Sequence, residues 1–134
     1  MQKALALTEQ TLGAEHPEVV TMLLDLSVLH LSRGDSASVE KELKRALEIG
    51  DKSLPADDLV LAKVRSNLGY LYVSRKEYDR AAPLLQRALE VEEKKFGPDS
   101  SHLSLTLQNL GLIAQEQKKD YPRAATLLAR GEEP

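Results

Sequence analysis

The chain has 134 residues, with 18 basic against 21 acidic side chains and a formal net charge of −3. That balance argues against a nucleic-acid or anionic-membrane surface, and one Phe with no Trp leaves no aromatic platform for stacking bases. The absence of cysteine excludes disulfides, thiolate metal sites and cysteine nucleophiles.

The first element is a helix from about Ala4 to Leu12. Lys3, Glu9 and Gln10 interrupt its apolar residues, so Met1 to Leu12 does not read as a secretory signal. No apolar run in the chain approaches the roughly 18 residues of a membrane span. The default expectation is a soluble, cytoplasmic protein.

Three helix pairs follow, at about Pro17–Arg33 with Ser36–Ser53, Asp58–Arg75 with Glu77–Lys95, and Ser101–Lys118 with Tyr121–Arg130. Gly13, Gly34 and Gly97, with Pro17, Pro55 and Pro98, punctuate the apolar-periodic stretches. Leu61, Val64, Leu68 and Leu71 recur at steps of three and four, which puts them on one helical face. Asp58 and Ser100 are candidate N-caps. Gly50 falls inside a helix, where it costs helix propensity.

The pairs are related by a 42-residue period. Leu12-Gly13-Ala14-Glu15 returns as Leu54-Pro55-Ala56-Asp57 and as Phe96-Gly97-Pro98-Asp99. Arg45-Ala46-Leu47-Glu48 returns as Arg87-Ala88-Leu89-Glu90, and Asn67-Leu68-Gly69 as Asn109-Leu110-Gly111. A fixed period of this size marks a stacked helical array, in which each unit buries its apolar face only against its neighbours. The first unit is degenerate, with Ser36, Ser38 and Val39 where the centre has Tyr78, Arg80 and Ala81. The last unit carries one extra residue near Lys118–Tyr121, which a loop can absorb.

Chemistry-bearing motifs are missing. His16, His30 and His102 show no metal-ligand spacing, and there is no phosphate loop or nucleophile elbow. His30 holds the slot of Tyr72 and Ala114 and reads as a packed residue, whereas His16 and His102, near helix starts, read as solvent-facing. The expectation is a chain that is not an enzyme and takes no cofactor or metal.

The leucines and small residues of each unit carry a family resemblance. One helix reads Leu68-Gly69-Tyr70-Leu71-Tyr72, and its partner places Ala81 and Ala88 where two backbones approach. Val39 with Ala46, and Ala124 with Gly131, occupy those slots in the other units. This pattern resembles the tetratricopeptide repeat. The 42-residue spacing, the Arg-Ala-Leu-Glu helix end and the Gly-Pro-Asp connector resemble the longer variant found in kinesin light chains.

The resemblance implies an all-α fold, a right-handed α-solenoid of antiparallel helix pairs with about seven helices. It implies a single array over 1–134, with a leading half-repeat at 1–13 and helix pairs at 17–53, 58–95 and 101–131. It further implies that the first helix of each pair lines a concave groove. By spacing, the groove residues are Thr21, Leu24, Asp25 and Val28, then Lys63, Ser66, Asn67 and Tyr70, then Leu105, Gln108, Asn109 and Leu112. In many relatives the asparagines matching Asn67 and Asn109 are implied to bracket a peptide backbone, since an amide both donates and accepts. The alternative is that they bond within the array. The groove has few charges, mainly Asp25 and Lys63, which argues against the terminal-carboxylate ligands and acidic cargo peptides implied for two branches of the family.

The expected function is a protein-interaction scaffold that holds a peptide or partner segment in the groove, without nucleic acid or membrane. The alternatives are self-association through the terminal helices, where Leu5, Leu127 and Leu128 lie, or service as the regulatory arm of a larger protein.

Overall fold

The structure, a computed structural model, describes residues 2–13 and 15–117. Among these are six α-helices and no strand: α1 (Gln2–Leu12), α2 (Pro17–Ser32), α3 (Ser36–Ser53), α4 (Leu59–Ser74), α5 (Tyr78–Phe96) and α6 (Ser104–Gln117). A 3-10 turn, Ser101–Leu103, precedes α6. The expected helix at Tyr121–Arg130 and the extra residue near it lie outside the described residues.

The helix ends follow from local chemistry. Pro17 opens α2, where its missing N–H is no loss, and the His16 ring accepts from the Glu18 N–H at 3.1 Å. His16 is therefore an N-cap and only half-exposed, rather than a solvated side chain. Asp35 caps α3 through the Ser38 N–H at 3.2 Å, and Asp58 caps α4 through the Val60 N–H at 2.8 Å. Ser100 also caps, but its bond to the His102 N–H starts the 3-10 turn, so α6 begins three residues later than the sequence suggests.

The turns joining the helices of the first two pairs are built alike. The Gly34 N–H reaches the Leu31 carbonyl and the Asp35 N–H reaches His30, the paired bonds of a Schellman end. Lys76 and Glu77 repeat those bonds onto Val73 and Tyr72. The pivot residue has positive φ in both, 77° at Gly34 and 61° at Lys76. Lysine thus holds a conformation that favours glycine.

Packing divides the chain into two units, Met1–Val64 and the part from Arg65 onward. In the first, Val19, Val20 and Leu23 of α2 are buried, as are Leu43 and Ala46 of α3 and Leu61 of α4. In the second, Leu68 and Leu71 of α4 and Leu85 and Ala88 of α5 are buried, with Leu103 beside Leu107 and Ile113 of α6. Full burial of each leucine contributes about 1.5–3 kcal/mol.

The small residues have the expected steric reason. A Cβ on Gly69 would stand 2.7 Å from Leu85 Cγ. Gly50, a costly residue by propensity, is buried, and a Cβ there would meet Leu61 Cδ1 at 2.5 Å. Close approach outweighs propensity at that position.

Candidate functional site

Helices α2, α4 and α6 carry the residues expected to face a ligand. On α2, Asp25 and Val28 are exposed, Val28 at 52%. Leu24 is only 9% exposed, because the inward stripe of α2 runs through positions 23, 24, 26 and 27 and takes it into the core. Lys63, on the part of α4 within the first unit, is exposed.

In the second unit Ser66 and Asn67 are half-buried, and Tyr70 is 41% exposed. Leu105 (51%), Gln108 and Leu112 (41%) form an exposed strip on α6. Asn109 does not join it. It is 4% exposed, and its Nδ2 donates to the Leu105 carbonyl at 3.0 Å, so in the free chain this amide bonds within its own helix.

A polar link beneath this face was not apparent from spacing. Thr106, 1% exposed, donates to Glu92 of α5 at 2.7 Å and shares a 3.3 Å hydroxyl contact with Ser66 of α4. Ser66 is thereby turned toward the joint between α4 and α6. Burial pushes the Glu92 carboxyl above its ordinary range, and the bond from Thr106 and the nearby His102 oppose that shift. His102 stacks on Phe96 with ring centroids 4.1 Å apart and its Nδ1 lies 2.9 Å from Ser100 Oγ. It is exposed, as expected, and makes both contacts at the surface.

Val28, Tyr70 and Leu112 occupy one repeat slot, each 42 residues from the next. Each is an apolar side chain with two-fifths or more of its surface in water. Core-facing slots repeat because packing demands it, but an exposed apolar slot gains nothing from packing.

Among the described residues no helix is long and apolar enough to cross a membrane. Nor does any group of three or more His, Asp or Glu stand where it would hold a metal ion.

A tetratricopeptide-repeat family model matches residues 60–133, and a second model of the same description matches residues 1–18. No curated protein matches the chain in sequence. Among solved structures, BtubC (BKLC) from P. vanneervenii is 26% identical with a TM-score of 0.82 over 98% of this chain and 52% of that one. A putative kinesin light chain from Podosopora anserina, with nearly identical TPR-like repeats, is 18% identical with a TM-score of 0.82. That match covers 97% of this chain and 61% of the other, so the chain spans between half and two-thirds of these relatives. Helix pairs in a 42-residue register and the family-model match over more than half of its length make the chain a member of the tetratricopeptide repeat family, and its fold is similar to that of the kinesin-light-chain repeats.

Proposed function

We propose that the chain is a non-catalytic interaction module in which α2 of the first unit, and α4 with α6 of the second, each present a partner-binding face. The observation that carries this is the exposed apolar slot Val28, Tyr70 and Leu112. Leu105 adds a fourth apolar contact one helical turn away from Gln108, whose amide is exposed beside it. Asp25, Lys63 and Asn67 supply polar contacts at the flanks. Leu24, Ser66 and Asn109 act from behind, by packing or by bonds that hold the helices in place.

A face with apolar anchors and few charges suits a helical or extended segment with apolar side chains, not a charged tail. Photo-crosslinking residues at positions 105 and 108, and at Gln86 on α5 as a control, test this. Crosslinks to a common partner from 105 and 108 only, lost on Tyr70→Ala with Leu112→Ala at unchanged helicity, are the expected result. Equal crosslinking from position 86, or capture undiminished by the double substitution, overturns it.

A second reading, self-association, draws on Leu7 and Leu12 of α1, which are 64% and 47% exposed. Sedimentation of Leu7→Glu against the parent chain separates the two, since only self-association predicts a change in mass.

A further inference from the structure

The first unit contains a half-open cleft of about 460 Å³, within the roughly 300–1,000 Å³ typical of small-ligand sites. Its floor is apolar, made by Leu5 of α1 with Leu23 and Leu26 of α2. Its rim carries His30, Asp35, Ser38 and Glu42.

The second unit shows what is missing from the first. There Tyr72, Glu77 and Arg80 hold the slots of His30, Asp35 and Ser38, each 42 residues later. The Arg80 guanidinium lies over the Tyr72 ring, 4.3 Å from its centroid. One of its nitrogens donates to the Tyr72 hydroxyl at 3.1 Å, and another stands 3.7 Å from the Glu77 carboxylate. An aromatic face and a carboxylate thus flank one arginine, whose side chain stays 49% exposed.

In the first unit the aromatic ring and the carboxylate remain, but the arginine is replaced by Ser38. The His30 ring is fixed by a 2.8 Å bond from Nδ1 to Glu42, and Asp35 keeps its place before the first turn of α3. The lining charges do not oppose a cation. Arg45 is already paired with Glu9, and Lys41 is exposed to water. Taken with Asp35, Glu42 and Glu9, the surroundings are net negative.

We infer that this cleft binds the arginine side chain of a partner protein, in the place that Arg80 fills from within the chain in the second unit. The guanidinium stacks on the His30 ring and pairs with Asp35, while the aliphatic stem covers Leu23 and Leu26. Arginine suits such a site better than lysine, because its flat face stacks as well as pairs. The bonds from Ser38 that hold the Asp35 carboxyl below its ordinary range keep it ionised.

The test is a chemical-shift titration of the labelled chain at about pH 8, above the ordinary imidazole range. The probes are Nα-acetyl-arginine amide, Nα-acetyl-lysine amide, guanidinium chloride and inorganic phosphate. The arginine derivative should give saturable shifts at His30, Ser38 and Glu42. The lysine derivative and guanidinium should bind at least about fivefold more weakly, lacking the flat face and the stem respectively. Phosphate should not saturate.

Ser38→Arg should fill the cleft from within and abolish the shifts. Asp35→Asn, which keeps a capping side chain, should weaken binding at least about threefold. Absence of saturation, equal binding of lysine or phosphate, or binding undiminished in Ser38→Arg overturns the inference. Guanidinium binding as tightly as the arginine derivative overturns the side-chain source. Should Ser38→Arg lose its dispersed spectrum, Asp35→Asn decides, and unweakened binding there overturns the inference as well.

Discussion

Replacing Thr106 with valine tests the buried link between α4, α5 and α6. The side chain is 1% exposed, and valine nearly reproduces its shape, so no cavity opens. What disappears is the 2.7 Å donor to Glu92 and the weaker 3.3 Å contact with Ser66. A hydrogen bond to a charged acceptor contributes about 1.5–3 kcal/mol net. The added methyl returns up to about 0.8 kcal/mol by burial. The expected loss is about 1–2 kcal/mol, or about 4–7 °C in Tm for a chain of this length.

The pH dependence carries the sharper signature. Burial raises the native Glu92 carboxyl above its ordinary value of 4.5, and the Thr106 bond pulls it back. A carboxyl raised on folding contributes stability that is full below the ordinary value and is lost as pH rises through the native one. Without Thr106 the native value climbs further, so the Thr106→Val penalty should be largest near neutrality. It should shrink once acid protonates Glu92, which then needs no donor. Urea unfolding at pH 7 and near pH 4 measures this, with Glu92→Gln closing a double-mutant cycle. A penalty that is independent of pH, or strictly additive with Glu92→Gln, refutes the link.

Two further outcomes follow from the helix ends. Lys76→Gly should stabilise the chain by about 0.5–1 kcal/mol in urea unfolding, since positive φ costs a side chain more than glycine loses in chain entropy. Gly34→Ala should destabilise by about 1 kcal/mol at the matching pivot. Asp35 is held below its ordinary carboxyl value by bonds from the Ser38 side chain and backbone. Its contribution is present above that ordinary value and lost as pH falls through the lowered native one. Asp35→Ala should therefore lower the urea midpoint at pH 7, and that loss should shrink as pH falls below the ordinary carboxyl value.

The period made the helix pairs legible because stacking forces leucines and small residues into fixed slots. Asp58 was readable as a cap from type and place alone. The 3-10 turn before α6 was not, because Ser100 starts either kind of turn with the same bond. Asn109 shows a different limit. Spacing puts it beside the groove, yet its amide reaches the carbonyl four residues back, and that choice depends on a rotamer. Likewise Ser66, Thr106 and Glu92 are distant in sequence, and only the approach of three helices makes them partners. The pairing of Ser38 with a cleft had a visible trace, since the first unit departs from the repeat at that position. The departure marked the place but not its shape.

The same comparison separates what repeats for stability from what packing does not explain. Leu43 and Leu85 share a slot, both are fully buried, and packing accounts for them completely. Val28, Tyr70 and Leu112 share a slot and are exposed, so packing does not account for them. Along α6, Leu105 and Leu112 stand seven residues apart, two turns or about 10.5 Å. That distance equals two turns of a helical partner, or about three residues of a polyproline II segment at roughly 3.1 Å each, whose three-residue period keeps them on one face. Under the proposed function, a partner would meet both leucines with apolar side chains seven apart if helical and three apart if in polyproline II form. The interval between its anchors reports its conformation directly. Beneath this face the Thr106 bond to Glu92 holds α6 against α5.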